Sequence, residues 1–376
     1  MVERIFNDPL AWGILAGFAV LSFVISLIFK DTLKNPDDDS PPTWSTAVLR
    51  GVEAVILALL GGLIARAFIS LLLGWANDSA GAGLAVGWAF FLLPGIVDTI
   101  PYLTHSHPVL TTPEILMMFA TVVGAMCGAM SGLWRIYSWL GLGLIAFPLD
   151  VTWALAGNTG GCLFHLWNTV FGKHDDKVRP NAHLYPSGFT LLPGGAITLG
   201  SVMSNCAGHE DHEMVHVWQN RVLGPLYTLT YLGWMLVWLV PGIVAGLIVT
   251  KGPSGLKKGP MRWCYFNNPW ETWAYAVEGG SNNPRTNPGD PDESRLTWPA
   301  LYVILWSIPF FLASTALAVF IFYSFWLNPQ PAHNEAHPPS HKSTEPAPKS
   351  KPTPRPHERS SFDAFPLVVD KEKAIV

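Results

Sequence analysis

Blocks of about 20 consecutive apolar residues, most of them without a charge, recur along this chain and constrain its fold more than any other feature. A helix needs about 20 such residues to cross the hydrocarbon core of a bilayer. Residues 10–29 form the first block. It follows Arg4 and lacks a small-residue cleavage pattern, so it reads as a retained signal-anchor helix rather than a signal peptide. Residues 53–75 form the second, interrupted by Arg66, and residues 83–103 the third, with Pro94 inside and Asp98 near its end. The fourth opens on a helix start, with Thr112 as cap, Pro113 at the first position and Glu114 in the first turn, and runs to Trp134. Arg135 and Tyr137 mark a turn before a fifth block at 138–155. Residues 227–249, with Pro241-Gly242 at their middle, and residues 297–327 complete the set. The expected fold class is an all-α polytopic membrane protein with about seven transmembrane helices.

Composition agrees. Of 376 residues, 49% are hydrophobic and 13% charged, against about 25% charged in ordinary soluble domains. A net charge of −4 gives no support to nucleic-acid binding. The 4 cysteines include no CxxC pair, which excludes a cysteine-only zinc site. The 17 tryptophans suit membrane interfaces.

Four regions follow. Residues 1–156 read as an N-terminal five-span bundle, and 157–225 as an extramembrane region. In the latter, residues 189–192 and 196–202 flank Pro193-Gly194-Gly195 as an expected β-hairpin. Residues 226–328 hold the C-terminal spans around a polar loop at 251–296. Residues 329–376 form a proline-rich tail expected to be disordered and to reach for a protein partner. The excess of Lys and Arg on the tail's side of a seven-span protein places that tail in the cytoplasm.

One constellation carries chemistry. His212-Glu213-Met214-Val215-His216 is a HExxH pattern, expected on a helix capped by Ser204 or Asn205 and ended by Gly224-Pro225. Residues four apart share a helix face, so both imidazoles reach one Zn²⁺, and Glu213 lies close enough to deprotonate a zinc-bound water. Glu271, at a helix start after Pro269, is the candidate third ligand. His209 is its rival, on the same helix face as His212 and His216, and a site without metal is the third reading. If residues 227–249 cross the whole bilayer, Glu271 ends on the far side from His216. Either Pro241-Gly242 breaks that block, or residues 251–270 dip back into the membrane, or Glu271 is not a ligand.

The pentad, together with Glu271-Thr272-Trp273-Ala274, resembles the membrane-embedded gluzincin peptidases, in which a HExxH helix and a later ExxA-type segment complete a zinc site. The acidic residue usual after that segment is replaced by Tyr275. The run from His212 through Gly224-Pro225 is also similar to a class of uncharacterised bacterial membrane proteins.

Weaker signals have simpler readings. Arg66 and Asp150 fall at similar depth and read as a structural pair; Asp98 is the third ionisable residue inside a span. Gly124 and Gly128 form a GxxxG step for close helix packing. The tryptophans read chiefly as interface anchors, and His105, His107 and His165, near span ends, as plain polar loop residues; the alternative is a site for carotenoid, chlorophyll or quinone. Two functions compete. One is a zinc metallopeptidase with Glu213 as base, holding substrate along the hairpin edge. The other is a non-catalytic accessory subunit of an energy-transducing or photosynthetic complex, packed against partners, lipids or pigments, with a structural metal or none.

Overall fold

The computed structural model describes residues 5–31, 33, 43–75, 77–104, 106–175, 180–190, 195–279, 283 and 291–327. The proline-rich tail, Pro193-Gly194 and His105 lie outside the described residues. Helix α1 (Pro9–Ile28) begins where an Asp8 oxygen accepts from the Leu10 and Ala11 amides at 3.0 and 3.3 Å, satisfying donors that a helix start leaves open. The other Asp8 oxygen takes Arg66 at 2.8 Å. Arg66 is buried in α2 (Trp44–Trp75), and its partner is thus Asp8, not Asp150 as depth alone implied.

The third apolar block is not one helix. It divides into α3 (Ala80–Val86), a π-helical turn at Gly87–Phe91, and α4 (Leu93–Leu103). Leu92 between them has φ 55°, Pro94 has no amide to continue the earlier helix, and Gly95 lets the returning chain touch the Trp88 backbone. Asp98 is spent on the adjoining loop, accepting from the Thr111 amide and hydroxyl at 2.6 and 3.0 Å. Helix α5 (Pro113–Trp134) follows the expected start at Thr112 and stops at a left-handed Arg135. It packs antiparallel on α2: a Cβ on Gly124 would strike Gly61, one on Gly128 Leu57, and one on Gly132 Ala54. The GxxxG step therefore makes a contact within this chain.

The fifth block holds only the short α6 (Gly143–Asp150), with Pro148 in its last turn; α7 (Leu155–Phe171) begins at the end of the block and runs into the region expected between spans. Against seven expected spans, the described residues hold five helices long and apolar enough to cross a membrane: α1, α2, α5 and two later ones.

Between α7 and the HExxH helix lies a three-stranded sheet of β1 (His183–Tyr185), β2 (Ile197–Leu199) and β3 (Val202–Ser204), ordered β1-β3-β2. β1 runs parallel to β3 and β2 antiparallel to it. The hairpin turn is Gly200-Ser201, with Gly200 at φ 57°, rather than Pro193-Gly194-Gly195. Phe189 and Thr190 are not strand, and the rest of that expected arm lies outside the described residues. Strand alternation sends Tyr185 and Val202 to a cluster with Phe164 of α7, and Leu184 and Met203 to one with Val217 of the next helix, α8 (Glu210–Leu223). The sheet is the middle layer between α7 and α8.

Helix α9 (Pro225–Thr250) is a single helix of 26 residues that passes through Pro241 unbroken. The chain then turns back as α10 (Gly255–Pro260) and a π-helical turn at Met261–Phe266. Gly255 and Gly259 meet Gly246 and Gly242 so closely that a Cβ on any of them would strike the opposite helix. Further along, Trp234 Nε1 donates to the Trp263 carbonyl at 3.4 Å, and Asn268 Nδ2 to that of Tyr231 at 3.4 Å. Each contact lies closer to the start of α9 than the one before. Helix α11 (Pro269–Glu278) therefore begins beside the first turns of α9; a helical turn at Pro291–Ser294 and helix α12 (Ala300–Leu327) follow.

Candidate metal centre

α8 starts later than its sequence implies: His209 is its N-cap residue, while Asn205 sits in a turn at φ 52°. It ends as expected at Gly224, whose φ of 55° lets Pro225 open α9 at once. α11 is capped by the Asn268 side chain, which accepts from the Trp270 amide at 3.2 Å. The two helices lie antiparallel. Gln219 Nε2, late in α8, donates to the Trp270 carbonyl at 3.1 Å, while His209, before α8, meets Glu278 at the end of α11 at 2.8 Å.

This arrangement brings His212, His216 and Glu271 together, all buried. The two Nε2 atoms are 3.2 Å apart. Glu271 Oε2 lies 3.2 Å from His212 Nε2, and Oε1 3.3 Å from His216 Nε2. The two Nε2 atoms stand at about the separation of ligand atoms held 2.0–2.2 Å from a tetrahedral ion, about 3.3 Å, one Glu271 oxygen faces each of them, and one atom from each residue lies within 4.8 Å of the others, so the group could hold a metal ion. The conflict over Glu271 resolves through the dip-back of residues 255–266 along α9. His209 stands outside the group, its side chain 40% exposed and bonded to Glu278.

Each donor is oriented from behind. His216 Nδ1 is 2.9 Å from Gln219 Oε1 and 3.1 Å from the Tyr227 hydroxyl. Tyr231 donates to Glu271 Oε1 at 2.6 Å. His212 Nδ1 lies 3.3 Å from Glu278 Oε2, an ion-pair distance, and its ring packs on Tyr275 with centroids 4.3 Å apart. Tyr275 thus fills the place of the missing acid with an aromatic face, and Glu278 supplies the carboxylate three residues later. Glu213 points to the sheet: Thr198, at the centre of β2, donates to its Oε2 at 2.5 Å.

Burial opposes charge on His216, but the Glu271 carboxylate overcomes it and holds the imidazole at about 9. Burial would raise Glu271, yet His216 and His212 hold it well below the usual carboxylate range. Without a metal the centre is thus a buried ion pair of the His216 imidazolium and the Glu271 carboxylate, and a bound cation would take the place of the proton.

The far end of α8 is fixed by Arg221, which grips Asp150 through Nε at 2.9 Å and Nη2 at 2.7 Å and also donates to the Asn181 carbonyl. Tyr137 donates to Asp150 as well, at 2.8 Å. Neither Glu278 nor this network is evident from motif reading. The available signals were spacings: Glu271 and Glu278 two turns apart on one helix, and Tyr227 and Tyr231 one turn apart on another.

No protein family, curated protein or solved structure matches this chain.

Proposed function

We propose that this chain is a multi-pass integral membrane protein whose centre at His212, His216 and Glu271 holds zinc and hydrolyses a peptide-like bond, with Glu213 as general base. The observation that carries this reading is that one ligand atom from each of His212, His216 and Glu271, all buried, lies within 4.8 Å of the others, with the two Nε2 atoms 3.2 Å apart. Three protein ligands leave the fourth tetrahedral position open, which is the pattern of catalytic rather than structural zinc sites. When bound, zinc supplies Lewis acidity and lowers the pKa of a water. His212 and His216 hold their Nε2 atoms towards the ion because Glu278, Gln219 and Tyr227 occupy the Nδ1 sides. Tyr231 engages Glu271 Oε1 and so favours coordination through Oε2. Glu213, oriented by Thr198, accepts the proton and returns it to the leaving group.

The burial of all three donors favours a second reading, an accessory membrane subunit with a structural ion. One experiment separates the two. Detergent-purified protein and its Glu213→Gln variant are compared by elemental analysis and by turnover of a peptide library in proteoliposomes. The peptidase reading expects equal zinc and a loss of turnover of about 10²–10⁴-fold. Equal zinc with no turnover in either protein supports the subunit, and absence of zinc from both defeats the metal reading.

A further inference from the structure

On the face of the sheet away from the metal centre lies a cavity of about 560 Å³, within the range of about 300–1,000 Å³ typical of small-molecule sites. Its long walls are apolar: Phe18 and Ile25 of α1, Met130 and Trp134 of α5, and Leu166 of α7. Leu21 of α1 and Phe29 at its C-cap lie along the same cavity, and both are more than half exposed, at 55% and 52%. The cavity thus opens along the apolar outer side of a helix that has the length of a span.

One end is polar. There Tyr185 bonds Thr169 at 2.9 Å and His165 Nδ1 at 3.1 Å, so these groups largely satisfy one another. Beside them stands Lys173, which has no ion-pair or hydrogen-bond partner among the described residues. Among the described residues no carboxylate lines the cavity, and Lys173 is the one lining residue with a full charge at neutral pH. An ammonium at the end of an apolar slot is matched by a ligand with one negative charge and a hydrocarbon body. A phosphomonoester head, at about −1.5 to −2, would outweigh a single lysine, a phosphodiester lipid brings two chains to what is a single slot between α1 and α5, and a neutral head would leave the lysine unmatched.

We propose that this cavity binds a long-chain fatty acid, its carboxylate on Lys173 and its chain lying between α1 and α5. The site does not depend on the chemistry of the metal centre, which faces the opposite side of the sheet.

Trp134 lines the cavity and reports on it. The full chain, reconstituted in phosphatidylcholine vesicles, is titrated with dibromostearic acid, whose bromines quench indole fluorescence at short range. The Trp134→Phe variant isolates the contribution of that residue. The expected result is saturable quenching of Trp134 by the acid at concentrations about tenfold lower than by its methyl ester, the effect of one charge-assisted contact. Lys173→Ala should bring the acid to the level of the ester, and Lys173→Arg should restore the difference. Ala129→Phe, which fills the slot, should remove saturable quenching by both. Equal quenching by acid and ester in the unaltered protein would overturn the proposal without reliance on any variant, as would quenching of Trp134 no greater than that of the other tryptophans.

Discussion

His212 has two carboxylates to answer to, Glu271 at Nε2 and Glu278 at Nδ1, and the two do different work. Glu271→Gln removes the anionic donor, and bound metal should fall to background by elemental analysis, as it should in His212→Ala. Glu278→Gln leaves every donor in place and loosens only the hold on His212. Its metal affinity should drop about 10–100-fold, the usual cost of an outer-shell partner, as read by competition with a chelator. An unchanged affinity would mean that Tyr275 alone positions the ring. The raised His216 gives a pH dependence with a definite sign. Its folded value of about 9 exceeds the ordinary 6.5, so in metal-free protein its contribution to stability is complete below about pH 6.5 and lost as pH rises through about 9. Thermal unfolding of chelator-treated protein should show a falling Tm across that window. Zinc should abolish the fall, since the ion takes the proton's place. A flat profile without metal would contradict the coupling of His216 to Glu271.

Helices were legible where one signal decided them and illegible where two competed. Thr112-Pro113-Glu114 fixes the start of α5, and Gly224-Pro225 fixes the α8–α9 junction, because caps and prolines act within a single turn. Residues 83–103 and 138–155 have the apolar content of spans, but Leu92-Leu93-Pro94-Gly95 and Pro148 turn the chain within each. Hydropathy measures content and is blind to that. The expected second arm, residues 196–202, instead holds β2 and the turn itself, since Gly200 offers the positive φ as readily as Gly194 or Gly195. For the site, the spacing of two histidines made their convergence readable. The arrival of Glu271 depended on two facing glycine pairs, 242/246 and 255/259, that have no meaning until they are seen as partners. The dependence is testable. Gly259→Leu puts a side chain against Gly242 and should displace α10, so metal should be lost although every ligand remains. Gly252→Leu, with only the Thr250 carbonyl near, at 3.8 Å, should leave metal content unchanged.

Across the whole molecule, buried charge serves as the fastening between layers. Arg221 and Asp150 are 0% and 1% exposed and tie the HExxH helix to the turn between α6 and α7. Removing one member strands the other away from water, at a cost of about 3–5 kcal/mol. Asp150→Asn should therefore lower the unfolding temperature sharply, while Asp150→Leu combined with Arg221→Met should lower it less than either single change. Arg66, buried, and Asp8, 35% exposed, join α1 and α2, and Arg135 and Glu53, both half-buried and 2.9 Å apart, join α5 and α2 at lower stakes because water reaches them. None of these partners can be read from sequence, because each bond joins segments far apart in the chain and depends on which helices become neighbours.

The return of the chain along α9 also sets an order in time. A ribosome delivers His212 and His216 first, and the polypeptide must then extend the full length of α9, about 39 Å, and double back before Glu271 exists at their level. Until α10 has settled into its glycine groove, the two histidines have no anionic companion, so a half-made chain is a poor trap for any ion it meets. On the proposed reading, a metal could be held only after that return, and a chain whose folding stalls before it would lack the third ligand.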